Sequence, residues 1–89
     1  MEFEWDPAKN EANIHKHGFD FVDAWQVLEG IHVVFPSTRE DEERYGAIGI
    51  INGYHVVVFY AIRGVRHRII SIRRARADER ERYRQLFRQ

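Results

Sequence analysis

Residues 65–76 read VRHRIISIRRAR, five arginines threaded through isoleucines with no acid among them. Guanidinium is planar and permanently charged, and it grips phosphate or carboxylate with two parallel N–H donors. Arg68 and Arg73 lead the candidates for that chemistry, with Arg74 and Arg76 beside them and the Ser71 hydroxyl between. A second cluster lies nearer the start, where Lys9, Asn13 and Lys16 recur at helical spacing and His17 adjoins Lys16. Histidine is the side chain that titrates near neutrality without help, which makes His17 the natural proton carrier. A plainer reading holds equally well: basic residues closing a helix complement its dipole, at about 0.3–1 kcal/mol. His15 and His17 do not form a metal pair, because residues two apart on a helix point about 200° apart. The chain has no cysteine and no HExxH spacing, so neither a metal nor a cofactor is expected.

The 89 residues are formally neutral, but the neutrality conceals a split. Residues 1–60 carry four basic and eleven acidic side chains, net −7, whereas residues 61–89 carry ten arginines against three acids, net +7. The basic portion is where a polyanion would bind. Twelve of the fourteen basic residues are arginine, which favours bidentate recognition over simple solubility. Hydrophobic content of 44% suffices for one small folded domain spanning 1–89. MEFEWDPAKN lacks the apolar stretch of a signal peptide, and the longest apolar run, VVVFYAI, is far too short to span a bilayer. A cytoplasmic protein without membrane contact is expected.

These residues need elements to hold them. Asp6-Pro7 opens a helix that should end at His17, with Gly18 taking the left-handed position. Asp20 caps a second helix whose Phe21, Ala24, Trp25 and Leu28 form its buried stripe. Strands follow at Ile31–Phe35, Arg44–Ile51, Tyr54–Ile62 and Arg66–Ala75, with a polar loop STREDEE between the first two. Asn52-Gly53 is a strong hairpin signal. Asp78 and Glu81 have capping-box spacing before a last helix that buries Tyr83, Leu86 and Phe87. The fold class is α+β: two N-terminal helices, a four-stranded, mainly antiparallel sheet and a C-terminal helix.

A three-residue turn at 63–65 would set Tyr60 opposite Arg68, Val58 opposite Ile70, Val56 opposite Ile72 and Tyr54 opposite Arg74 on one face. The other face would pair Ala61 with His67, Phe59 with Ile69, Val57 with Ser71 and His55 with Arg73. A one-residue bulge would exchange these faces. His55 and His67 read as surface histidines. Trp5, Phe21, Trp25, Tyr83 and Phe87 read as core, leaving Tyr60, and after it Tyr45, to touch a base.

FEWDPAKNEANIHKHG, a helix with FVDA, EERYGAIG, VVVFYAIRG, RIISIRRA and an ER-x-Y helix follow one another from Phe3 to about Tyr83. In that order they resemble the BrnT toxins, RelE-like ribonucleases of bacterial type II toxin–antitoxin modules. The resemblance implies a toxin that cleaves RNA and blocks translation. It implies a cognate BrnA-type antitoxin, possible 2:2 assembly, and contact with DNA only through that antitoxin. Metal-free cleavage needs charge on the phosphorane oxygens, a proton acceptor and a proton donor. On this reading Arg68, Arg73 and Arg44 meet the phosphate, Tyr60 positions substrate, and His17 with Lys16 handles protons. Lys9, Asn13, Glu43, Ser71, Arg74 and Arg76 line the RNA path, and Glu43, which opens the family's acid–arginine pair, could orient Arg44 or act as base.

Two other readings use the same residues. The arginines could neutralise the acidic excess of residues 1–60. The patch could instead belong to a non-catalytic module that binds nucleic acid or an acidic partner, an antitoxin included.

Overall fold

The computed structural model describes residues 1–39 and 41–88. Glu40, inside the expected polar loop, lies outside them. The chain is α+β. Its first helix forms as its ends dictate: α1 (Pro7–His17) starts where the Asp6 carboxylate accepts the Ala8 N–H at 2.9 Å. It stops where Gly18 (φ 82°) turns left-handed and donates back to the Ile14 carbonyl at 2.8 Å.

The second helix is shorter than its pattern suggests. Asp20 caps a 3₁₀ turn (Phe21–Ala24), and only Trp25–Leu28, α2, is α-helical. A three-residue repeat puts Phe21, Ala24 and Val27 on one side, so Val27 takes the core position expected for Trp25, which is half exposed. Phe87 and Leu86 are also exposed.

The sheet has five strands, not four: β1 (Glu2–Glu4), β2 (Val33–Pro36), β3 (Arg44–Ile51), β4 (Tyr54–Arg63) and β5 (Arg66–Arg74), in the order β1-β5-β4-β3-β2. The fifth, β1, runs parallel to β5, which makes the sheet mixed. Asn52 (φ 50°) and Gly53 (φ 86°) join β3 to β4 in the two-residue turn their types demand.

The β4–β5 turn also has two residues, Gly64 and Val65, with Arg63 opposite Arg66. Tyr60 therefore faces Ile69 and Ala61 faces Arg68; a bulge then shifts the register so that Phe59 faces Ser71 and Val57 faces Arg73. The turn and the bulge together overturn the expected pairing: Arg68 leaves the Tyr60 face, and Ile69 and His67 take its place.

The first face of the sheet packs Val56, Val58, Tyr60, Ile69 and Ile72 against Phe21, Val27 and Leu28. Buried Asn13 ties α1 to it, its amide donating to the Ile72 carbonyl (3.0 Å) and accepting the Ile72 N–H (3.1 Å). The second face packs Ile48 and Val57 under Ala75 and Tyr83, the latter from α3 (Ala77–Arg84). The box that opens α3 runs from Arg76 to Glu79, two residues earlier than expected: the Glu79 carboxylate accepts the Arg76 N–H at 2.8 Å. Among the described residues no helix is long and apolar enough to cross a membrane.

Candidate functional site

The register aligns side chains of the second face in rows across the strands. One row holds Arg44, Ala61, Arg68 and Glu4. The next holds Phe35, Gly46, Phe59 and Ser71. Over part of these rows lies a cleft of about 360 Å³, lined by Ser37, Thr38, Arg39, Arg44, Phe59, Ile70 and Ser71. A second cleft of about 220 Å³ adjoins it, lined by Lys9, Ala12, Asn13, Lys16, His17, Ile70 and Ser71. Ile70 and Ser71, the residues at the β5 bulge, belong to both. Among the described residues every ionisable side chain on either lining is basic.

A tight turn brings the first cleft's two arginines together. Arg39 and Glu42 exchange backbone hydrogen bonds of 3.1 and 2.9 Å around Asp41, whose φ is 63°. The Glu42 carboxylate then accepts from Arg44 Nε at 3.2 Å and lies 3.8 Å from Arg63. Held at Nε, Arg44 keeps its two terminal amino groups for another anion. Glu43, expected to orient Arg44, accepts instead from the Tyr45 hydroxyl at 3.3 Å.

The expected residues separate into three groups. Lys9, Asn13, Lys16, His17, Ser71 and Arg44 line the clefts. Asn13 does so while spending its amide on Ile72 and on the Phe19 carbonyl. A second group is engaged within the chain. Arg68 donates to Glu4 at 2.7 Å, and Arg73 makes a forked pair with Glu79 at 2.8 and 2.9 Å. That pair holds the Glu79 carboxyl below its ordinary range and pushes Arg73 up. Arg68 thus pairs with an acid of residues 1–60, as the neutralising reading expects, whereas Arg73 pairs with an acid of its own basic end. Arg74 stacks on Tyr54, 4.8 Å from the ring centre, and Arg76 sits at the α3 N-cap.

Tyr60 forms the third group and corrects an expectation. It is 6% exposed, packed between Tyr45 and His67, with its hydroxyl pKa raised by burial and by Tyr45. The two-residue turn that moved Arg68 to the other face left Tyr60 in the core. His67, expected at the surface, wedges between Phe3 and Tyr60 with a buried, unpartnered Nδ1. Burial, and then the N-terminal charge, lower its pKa.

Ser37, Thr38, Arg39, Glu42 and the Phe59 ring are site features that sequence reasoning passed over. Arg39 and Arg44, cations on either side of an acidic run, were the available signal. Among the described residues no three His, Asp or Glu side chains gather as a metal ion would require.

A family model described as a ribonuclease toxin, BrnT, of type II toxin–antitoxin systems matches residues 5–79, which include every residue lining the two clefts. No curated protein matches the chain.

Proposed function

Because the chain belongs to the BrnT family of type II toxin–antitoxin ribonuclease toxins, we propose that it cleaves cellular RNA at the junction of the two clefts and thereby blocks translation. The observation that carries this reading is the pair of adjoining clefts whose ionisable lining, among the described residues, is basic. A phosphodiester is the anion an arginine pair with a neighbouring hydroxyl suits best.

The reaction needs no group outside the chain and its substrate. The ribose 2′-oxygen attacks the adjacent phosphorus, the bond from phosphorus to the 5′-oxygen breaks, and the products are a 2′,3′-cyclic phosphate and a 5′-hydroxyl. Arg44 and Arg39 neutralise charge building on the phosphorane oxygens, and Ser71 donates to one of them. His17 accepts the 2′-hydroxyl proton or returns one to the leaving oxygen, with Lys16 favouring the alkoxide that forms. Arg68 and Arg73 are fastened to Glu4 and Glu79, so their charge is largely spent within the chain.

A type II toxin has an antitoxin protein as its partner. We take that partner to be of the BrnA type, covering the clefts in a cytoplasmic complex that could be 2:2 and reaching DNA only through the antitoxin. The experiment is RNA cleavage by purified protein in EDTA, with and without antitoxin. Cleavage that antitoxin abolishes is expected. Tight RNA binding without cleavage would favour the non-catalytic module instead.

A further inference from the structure

We propose that Phe59, with Phe35 beside it, forms a stacking subsite for the unpaired base next to the phosphate held by Arg39 and Arg44. The inference rests on the RNA-cleaving reading above and adds what the site requires of its substrate: a single-stranded segment with a base at this position.

The sheet register supplies the geometry. Arg44 and Arg68 share one cross-strand row, and Phe35, Gly46, Phe59 and Ser71 share the next on the same face. Two residues along a strand advance about 6.7 Å. A cationic row and an aromatic row thus lie one ribose length apart, which is how a nucleotide separates its phosphate from its base. The first cleft touches both rows, through Arg44 and through Phe59.

The aromatic row depends on a glycine. A side chain at Gly46 would put its Cβ 2.3 Å from the Phe35 ring, so glycine there is what lets Phe35 reach over β3 to Phe59. The two rings meet edge to face, 6.2 Å between centres at 86°. The Arg73 guanidinium lies over one face of the Phe59 ring, 5.2 Å from its centre, and the Arg82 guanidinium over the Phe35 ring, 5.5 Å from its centre. Both phenylalanines are half-buried at the border of the α3-covered core, and Phe59 still lines the cleft. Aromatic rings bordered by arginines, beside a basic groove, suit single-stranded nucleic acid: every base offers a π-face, so stacking tolerates any sequence.

The test uses an RNA oligonucleotide whose cleavage position by this protein has been mapped. In matched copies, the base on either side of the scissile phosphate is replaced by an abasic ribose that keeps its 2′-hydroxyl. The wild type should cleave one abasic copy about tenfold to a hundredfold more slowly than the parent. Phe59→Leu, which keeps apolar volume in the sheet, should cleave the parent at that reduced rate and lose nothing further on the abasic copy. Equal wild-type rates on parent and abasic copies would overturn the subsite while leaving RNA cleavage standing. So would full abasic discrimination retained by Phe59→Leu. If that variant does not fold, the wild-type comparison still decides. A parent RNA left intact would remove the cleavage reading itself, and the subsite with it.

Discussion

Arg44 shows how one side chain is prepared for work. Glu42 holds its Nε, and the side chain lines the cleft. Removing such a preorganised donor costs about 10²–10³ in rate, so Arg44→Ala should slow RNA cleavage by that factor with unfolding temperature little changed. Arg44→Lys should recover little, since a point charge replaces a fork. Glu79 carries a different load: its carboxylate holds both Arg73 and the α3 N-terminus. Glu79→Ala should destabilise by about 2–4 kcal/mol in chemical denaturation. Its depressed pKa means the pair stabilises above the ordinary carboxylate range and loses that contribution as pH falls through the folded value. His67 also has a lowered pKa, so the unfolded chain takes up its proton more readily than the folded one. Stability should therefore fall as pH drops below about 6.5, and His67→Phe should flatten that part of the profile. Thermal melts from pH 8 to 5 measure the difference.

The elements place these residues, and some were more legible than others. α1 and the β3–β4 hairpin were readable because Asp6-Pro7, Gly18 and Asn52-Gly53 act locally on the backbone. β1 was not: three residues with two glutamates form a strand only because β5 is there to pair with them, and Glu4 to Arg68 is a long-range match. The β5 bulge escaped for a related reason. RIISI offers three isoleucines to a face that needs two, and only packing decides that Ile69 and Ile72 go in while Ile70 opens onto the clefts. The turn, one residue shorter than expected, had already moved Arg68 and Tyr60 to opposite faces, so the candidate site was legible in its cations and misread in its tyrosine. Asn13 locks the result by pairing with the Ile72 backbone just beyond the bulge. Asn13→Ala should cost about 2–3 kcal/mol and strip the Ile72 amide of hydrogen-exchange protection, while amides of the β3–β4 hairpin keep theirs.

At the scale of the molecule, the split between an acidic front and a basic end of the chain resolves into intramolecular pairs and an unspent remainder. Glu4, Glu42, Glu79 and Glu81 take up Arg66, Arg68, Arg63, Arg73, Arg84 and Arg88. The clefts collect Lys9, Lys16 and Arg39, with Arg44 turned the same way. Four cations on single-stranded RNA give a slope of roughly +3 for log Kd against log salt, and each cleft cation removed should reduce it by about 0.7. Removing a paired arginine such as Arg84 should leave that slope unchanged. The central claim is that this basic junction performs transesterification on RNA. It is tested most directly by mapping RNA ends after incubation in EDTA with the wild type and with the Arg39→Ala/Arg44→Ala double variant. The account predicts 2′,3′-cyclic phosphate and 5′-hydroxyl ends from the wild type, and cleavage at least a hundredfold slower from a folded double variant. Intact RNA with the wild type, or a double variant that cleaves as fast, would contradict it.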